Sequence, residues 1–347
     1  MPKIKFPAKL KGMTKKKHLF LMIVLGVFIT GLLILLWWGI THPHELGIIL
    51  PNSSNFQENL SSQKSINLLF LGVAGNGSRG ALLTDTIIIV NIDFDKKQAA
   101  VFSLPRDLWI QIPNSSNKIK LNALYLFNNN NKSDFSKAKS FNLVQEKIEE
   151  ITGLKINYVT IFDLVGFGKL VDAVGGINIY LSQEMIDPNL VNPHNTSEIF
   201  DLSPGWHYLD GATAIKFVRT RYSPNGDFYR MNNQHLVIAA LRDKIIQLSN
   251  VWNLMAWLKI YNSMNNHYIS NLDFNTLWEL FNSFKNIKTG QIKYFSITNR
   301  PPDNLLISSS VPGVYENATT SVFILLPRAG FENYDEIKQF IYDSLNK

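Results

Sequence analysis

Between Val218 and Gln234 the chain reads VRTRYSPNGDFYRMNNQ, which gathers Arg219, Arg221, Asp227, Arg230 and Gln234 into seventeen residues. An arginine side chain is a rigid, permanently charged fork that matches phosphate oxygens. Three of them around one carboxylate are the chemistry of a site for a heavily anionic group. The same residues also suit a solvated, salt-bridged surface loop, whose ion pairs contribute little. Charge alone leaves both readings open.

Spacing adds direction. Ser223-Pro224-Asn225-Gly226 is a turn signal. Asp227 can then cap a helix whose apolar residues include Val237, Ala240, Leu241, Ile245 and Leu248. On it Asp227, Arg230 and Gln234 fall at i, i+3 and i+7, one face near the end where the helix dipole favours anions. In an extended segment Arg219 and Arg221 point the same way.

Two other segments carry charge at strand ends. Leu83-Thr84-Asp85-Thr86 enters a strand, and Asp85 either holds Mg²⁺, which takes one or two carboxylates plus substrate phosphates, or caps the turn. Leu104-Pro105-Arg106-Asp107 breaks another strand and, in isolation, reads as a turn ion pair. The glycine loop at 72–80 follows a strand but lacks GxGxxG order and a P-loop lysine. No GxSxG, HExxH or close histidine cluster supports serine or zinc hydrolysis. His42 and His44 flank Pro43 without further ligands. The 347 residues include no cysteine, which excludes disulfides, Cys-ligated zinc and Cys nucleophiles.

The elements that must position these groups begin after an apolar span. Residues 1–18 form a basic tail, and Leu19 to Ile40 are 22 residues without a charge. A helix of that length crosses a hydrocarbon core of about 30 Å, with Trp37 and Trp38 at its far end as interface anchors. Seven lysines precede it and the first acidic residue is Glu45, which predicts a cytoplasmic N-terminus and an extracytoplasmic remainder. Those seven account for the formal charge of +7; the remaining 27 basic residues balance 27 acidic ones. The basic character therefore reports topology, and nucleic acid is not expected as a partner.

Residues 41–65 read as a linker rich in Ser, Asn and Pro. INLLFLGV, TIIIVNI (86–92) and QAAVFSL read as strands, the last two antiparallel, followed by the short strand LWIQI. An Asn-rich insertion spans 128–136. Phe141, Val144, Ile148 and Ile151 mark a helix ending before Gly153. KINYVTIF, a helix from Leu164 capped by Asp163, and INIYL form a strand–helix–strand unit. A loop covers 187–205, and Gly211 to Phe217 is a short helix. Beyond 250, Leu277, Leu280, Phe281 and Phe284 form a helical stripe, QIKYFSI and SVFILLP are strands, and Tyr334 to Leu345 closes the chain. The expected fold is α/β: a mixed central sheet with helices on both faces, preceded by a single N-terminal transmembrane helix.

The ordered blocks, namely a strand ending in LGV and a glycine loop, LTDT, SLPRD, KLNALY (120–125), FDLVGFGKLVDAVGGI (162–177), LDGATAIKFVRTR (209–221) and DFYRMNNQ (227–234), resemble the LytR-CpsA-Psr family of bacterial cell-wall enzymes over residues 66–250. The resemblance implies a membrane phosphotransferase that moves a glycopolymer from a polyprenyl-diphosphate carrier to peptidoglycan, with the lipid tail in an apolar tunnel. It implies Asp85 as the ligand of Mg²⁺ or Mn²⁺. It implies Arg106, Lys120, Arg219, Arg221, Arg230 and Gln234 at the diphosphate, and Asp227 with Arg219 and Arg221 in catalysis. Asp227 either takes a proton or orients arginines. One departure stands out: many members carry LGxD, and here that position is Ala74, with Asp107 a conceivable substitute. Competing readings are a non-catalytic binder of polyprenyl-linked glycan and a diphosphate hydrolase. Residues 251–347 are expected to complete the same domain.

Overall fold

The computed structural model describes residues 64–346 apart from 79, 131–133, 139, 250–259, 261–263, 265, 273 and 316–317. The basic tail, the apolar segment 19–40, His42, His44 and nearly all of the linker lie outside the described residues. Among the described residues no helix is long and apolar enough to cross a membrane.

The architecture is mixed α/β around a six-stranded sheet. Its centre is β1 (Ser65–Val73), β2 (Thr84–Asp93) and β3 (Gln98–Ser103), three apolar runs buried on both faces. β4 (Trp109–Gln111) and β5 (Lys118–Lys120) form a small separate ribbon. β6 (Tyr158–Asp163) lies parallel to β1. β11 (Tyr268–Ser270) and β12 (Ile292–Ser296) form the two edges, antiparallel to β6 and parallel to β3. Both edges thus come from the last hundred residues of the chain.

Alternation along the strands serves two layers. Leu69, Leu71, Ile87, Ile89 and Phe102 point into a core with Val144 and Ile148 of α1 (Asn142–Thr152) and Ile337 and Ile341 of the closing helix Asp335–Asn346. Each such fully buried side chain contributes roughly 1.5–3 kcal/mol by leaving water. The opposite face, with Leu68, Ile88, Val90 and Val101, meets Leu280 and Ile238 from helices on the other side.

α1 stops at Gly153, whose φ of 70° is the left-handed conformation that glycine adopts freely. α2 (Leu164–Ala173) starts where Asp163 accepts the Gly166 N–H. Its successor, β7 (Ile177–Leu181), leaves the central sheet and pairs instead with β10 (Gly205–Leu209). The strand–helix–strand unit is therefore present in order, but its second strand founds a separate layer. The 187–205 stretch expected to be a loop contains a hairpin, β8 (Met185–Val191) with β9 (Ile199–Leu202). Its inner residues Met185 and Phe200 share a core with Ile177, Ile179 and Leu209, and this supplies the reason to fold. The Asn-rich insertion is tied back at Asn129, which donates to Ser140 O and accepts from Ser140 N–H.

α3 (Gly211–Phe217) and α4 (Asp227–Ser249) carry the arginine segment between them. α5 (Phe274–Phe284) lies beyond β11, and the closing helix becomes α6. β13 (Leu306–Tyr315) and β14 (Ala318–Pro327) form a long hairpin, of which only the second strand was legible. Leu325 of β14 donates its N–H to Asp107 O, bracing the break after β3.

Candidate anion site at the mouth of an apolar cavity

A cavity of ≈ 1350 Å³ is lined by residues of the sheet, α4 and α5. Its walls are apolar: Phe70, Ile88 and Val101 from the sheet, Ile238 and Leu241 from α4, Phe284 from α5. Its charged lining includes Asp85, Arg106, Arg219, Arg221 and Arg230. Burying charged groups beside an apolar void is costly unless they are paired, and most of these are.

Asp85 stands near the start of β2, where its Oδ1 accepts from Arg106 Nη1 at 2.6 Å. Its backbone carbonyl accepts from Arg230 Nη2 at 2.8 Å. Arg106 Nε lies 3.4 Å from Asp227 Oδ1 and 3.6 Å from Asp107 Oδ2. Burial disfavours the Arg106 charge, yet Asp85, Asp227 and Asp107 outweigh it and hold its pKa above the usual value. Arg230, more deeply buried, is pushed down to about 10 by desolvation and by Arg106 and Arg221, against Asp227 and Asp85. It stays charged at neutral pH.

Local folding explains the assembly. Asp227 opens α4, but its carboxylate takes Arg230 Nη2 at 3.0 Å and not a backbone cap. Gln234, two turns on, donates to Thr86 Oγ1 at 2.9 Å and so ties the helix face to β2. The predicted common face of Asp227, Arg230 and Gln234 is therefore turned to the strand that bears Asp85. The β4–β5 pairing sets Lys120 opposite Trp109, and Lys120 Nζ donates to Asp107 Oδ1 at 2.6 Å. Leu121 N–H and Asn122 N–H donate to Leu108 O and Arg106 O, which pins the two motifs together.

Not every expected residue faces the cavity. Asp85, Arg106, Arg219, Arg221, Arg230 and Gln234 line it; Lys120, Asp107 and Asp227 stand behind that lining as ion-pair partners. Arg219 and Arg221 do not lie on a strand. They follow α3 in irregular backbone, exposed, and among the described residues neither guanidinium has an ion-pair partner. Asp187, Asn189 and Tyr222 also line the cavity. Sequence reasoning passed over the first two because Pro188 and its Asn-rich surroundings read as loop.

Among the described residues, three buried atoms here, Arg106 Nε, Arg230 Nε and Asp227 Oδ1, have no well-directed hydrogen bond, although Asp227 Oδ1 lies 2.9 Å from Arg230 Nη2 and 3.4 Å from Arg106 Nε. Asp227 Oδ1 is thus held by two guanidiniums, and the half-exposed Asp85 is the carboxylate here that fits a hard cation completing its shell with phosphate oxygens. Among the described residues no three acidic or histidine side chains converge to cage a metal by themselves. Asp107, the conceivable substitute for the acid missing at Ala74, is ion-paired to Lys120 and Arg106.

A model of the LytR_cpsA_psr family matches residues 49–324. The polyisoprenyl-teichoic acid–peptidoglycan teichoic acid transferase TagU of Enterococcus faecalis is 28% identical over 251 residues, covering 70% of this chain and 76% of that protein. Biofilm regulatory protein A of Streptococcus mutans is 25% identical over 250 residues, 67% of this chain and 58% of that one. The fold is shared with B. subtilis TagV, at a TM-score of 0.59 and 21% identity over 82% of this chain and 98% of the other.

Proposed function

The chain belongs to the LytR-CpsA-Psr family, and from that premise we propose that it is a membrane-anchored, extracytoplasmic transferase that moves a glycopolymer from a polyprenyl diphosphate to peptidoglycan. Residues 19–40 are its anchor, with the N-terminus in the cytoplasm. Residues 66–250 are the catalytic domain, which 251–347 complete. One observation carries the reading: Arg219 and Arg221, without an ion-pair partner among the described residues, and an Asp–Arg network sit at the mouth of a large apolar cavity. Only an amphipathic anion, charged at one end and long and apolar at the other, satisfies both parts.

Arg219 and Arg221 take the diphosphate oxygens, aided by Arg230 and Arg106, and the apolar walls take the prenyl chain. Phosphoryl transfer needs positioning and charge neutralisation more than covalent help from the protein. An acceptor sugar hydroxyl attacks the phosphorus next to the polymer. The bond from that phosphorus to the bridging oxygen breaks, and polyprenyl phosphate leaves with the electron pair while the proton of the hydroxyl passes to the leaving phosphate through solvent. Mg²⁺ or Mn²⁺, held by Asp85, would neutralise charge on the diphosphate and the leaving group. Asp227 stands behind the arginines, paired to Arg230 and Arg106, which favours an orienting role over proton abstraction. Lys120 acts through Asp107, fixing Arg106.

A second reading, a binder of the same lipid-linked glycan without transfer, is favoured by Ala74 in place of the family's acid. The test is to incubate the full chain with a polyprenyl-diphosphate glycan, Mg²⁺ and a peptidoglycan oligomer. Mass-shifted oligomer supports transfer, free polymer supports hydrolysis, and bound lipid without product supports the binder.

A further inference from the structure

We propose that Asp187 and Thr220 form a positioning pair that aims Arg219 and Arg221 at the anion; this rests on the diphosphate reading of the site. Thr220 sits between the two arginines and differs from them in every respect that matters. It is fully buried, whereas both neighbours are exposed on the cavity. Its backbone N–H donates to Lys216 O, so the segment is a continuation of the α3 turn. Its hydroxyl donates to Asp187 Oδ2.

Asp187 is an unusual residue to find there. It is 4% exposed, lies on β8, and among the described residues makes no ion pair within 4 Å. Its other oxygen accepts the Asn189 N–H at 3.0 Å. A buried carboxylate costs far more than a buried amide unless something compensates it. Two hydrogen bonds do so in part. Arg219 and Arg221, which among the described residues make no ion pair, line the same cavity as Asp187. The hairpin β8–β9 therefore fixes the inward-facing residue of the triplet and turns its neighbours to the cavity. Without that anchor, two long side chains on irregular backbone would have to be ordered by the ligand itself, at the cost of side-chain entropy on binding.

The probe is farnesyl diphosphate, titrated calorimetrically into the full chain in detergent. Thr220→Val, which keeps shape and removes the donor, should weaken binding about tenfold, the scale of a hydrogen bond to a charged group. Thr220→Ser should restore parental affinity. In an Arg219→Ala/Arg221→Ala background, Thr220→Val should have no further effect. An equal loss in both backgrounds would assign Thr220 a general structural role and overturn the pairing. If the double arginine variant weakens binding but Thr220→Val and Asp187→Asn bind as the parent does, the pairing alone falls. If the double arginine variant itself binds as the parent does, the diphosphate site falls and the pairing with it. Should Thr220→Val fail to fold, Asp187→Asn is measured through the same cycle.

Discussion

At the scale of single residues, the site is a set of charges with unequal tasks. Arg106, Arg230 and Asp227 hold one another in place, while Arg219 and Arg221 are free to meet a ligand. Removing a free arginine and removing a paired aspartate should therefore have different signatures. Arg221→Ala should abolish product in the oligomer assay and leave the melting temperature within about 2 °C, as expected for a surface substitution. Asp85→Ala should also abolish product; unchanged turnover in both variants would sink the site assignment. Asp227→Asn should lose turnover and also stability, by roughly 3 kcal/mol in denaturant titration, because it strands the buried Arg230 charge. A loss of turnover with no loss of stability would instead make Asp227 a proton acceptor. His235, one residue past Gln234, adds a pH dependence unrelated to catalysis. It is buried against Ser103 Oγ at 2.7 Å, and desolvation pushes its pKa down to about 4 from 6.5. Between those values the unfolded chain binds the extra proton, so stability is full above about pH 6.5 and falls as pH drops toward 4. The total lost is about 3 kcal/mol at 1.36 kcal/mol per unit. Melting temperature followed from pH 7 to 4 should show that slope, and His235→Gln should flatten it.

At the scale of elements, the arginine segment is placed by two helices that touch backbone to backbone. A methyl group on Gly211 would come within 2.2 Å of Gly168 O, and one on Gly168 within 2.7 Å of Ile215 Cδ1. The contact of α2 with α3 is what delivers Arg219 to the cavity. Gly211→Ala should therefore cost roughly 1–3 kcal/mol by overpacking, visible as a lowered denaturation midpoint and weaker diphosphate binding together. Both glycines stand in blocks that were legible as blocks, but their role depends on a crossing that no local pattern encodes. The same division runs through the fold. β1 to β3, β6, α1, α2 and the start of α4 follow from runs of apolar residues, caps and turns. The β8–β9 hairpin was hidden because Pro188 and several Asn residues mimic loop chemistry, and tertiary burial of Met185 and Phe200 overrides them. The arginine pair was expected to share a direction on a strand. It does face one cavity, but through burial of Thr220 between them. The apolar cavity itself was illegible, since a residue lining a void and a residue filling a core look alike in sequence.

At the scale of the whole molecule, sheet edges and active residues come from distant parts of the chain. β12 pairs with β3, and Ile297, Leu305, Ile337 and Ile341 close the core over Phe102. A chain ending at residue 250 should lack cooperative unfolding by circular dichroism and be cleaved rapidly by protease; a cooperative melt for that truncation would mean that residues 251–347 are an appendage. The cavity has a further consequence for how the protein behaves between substrates. A void of ≈ 1350 Å³ walled by Ile, Leu, Phe and Val is an interior surface with no packing partner of its own. On the proposed reading, the prenyl chain would supply the packing partner that these walls lack. Occupancy should therefore act as folding free energy, raising the melting temperature with ligand concentration. It should slow hydrogen exchange chiefly in α4 and α5, the two helices that line the cavity opposite the sheet.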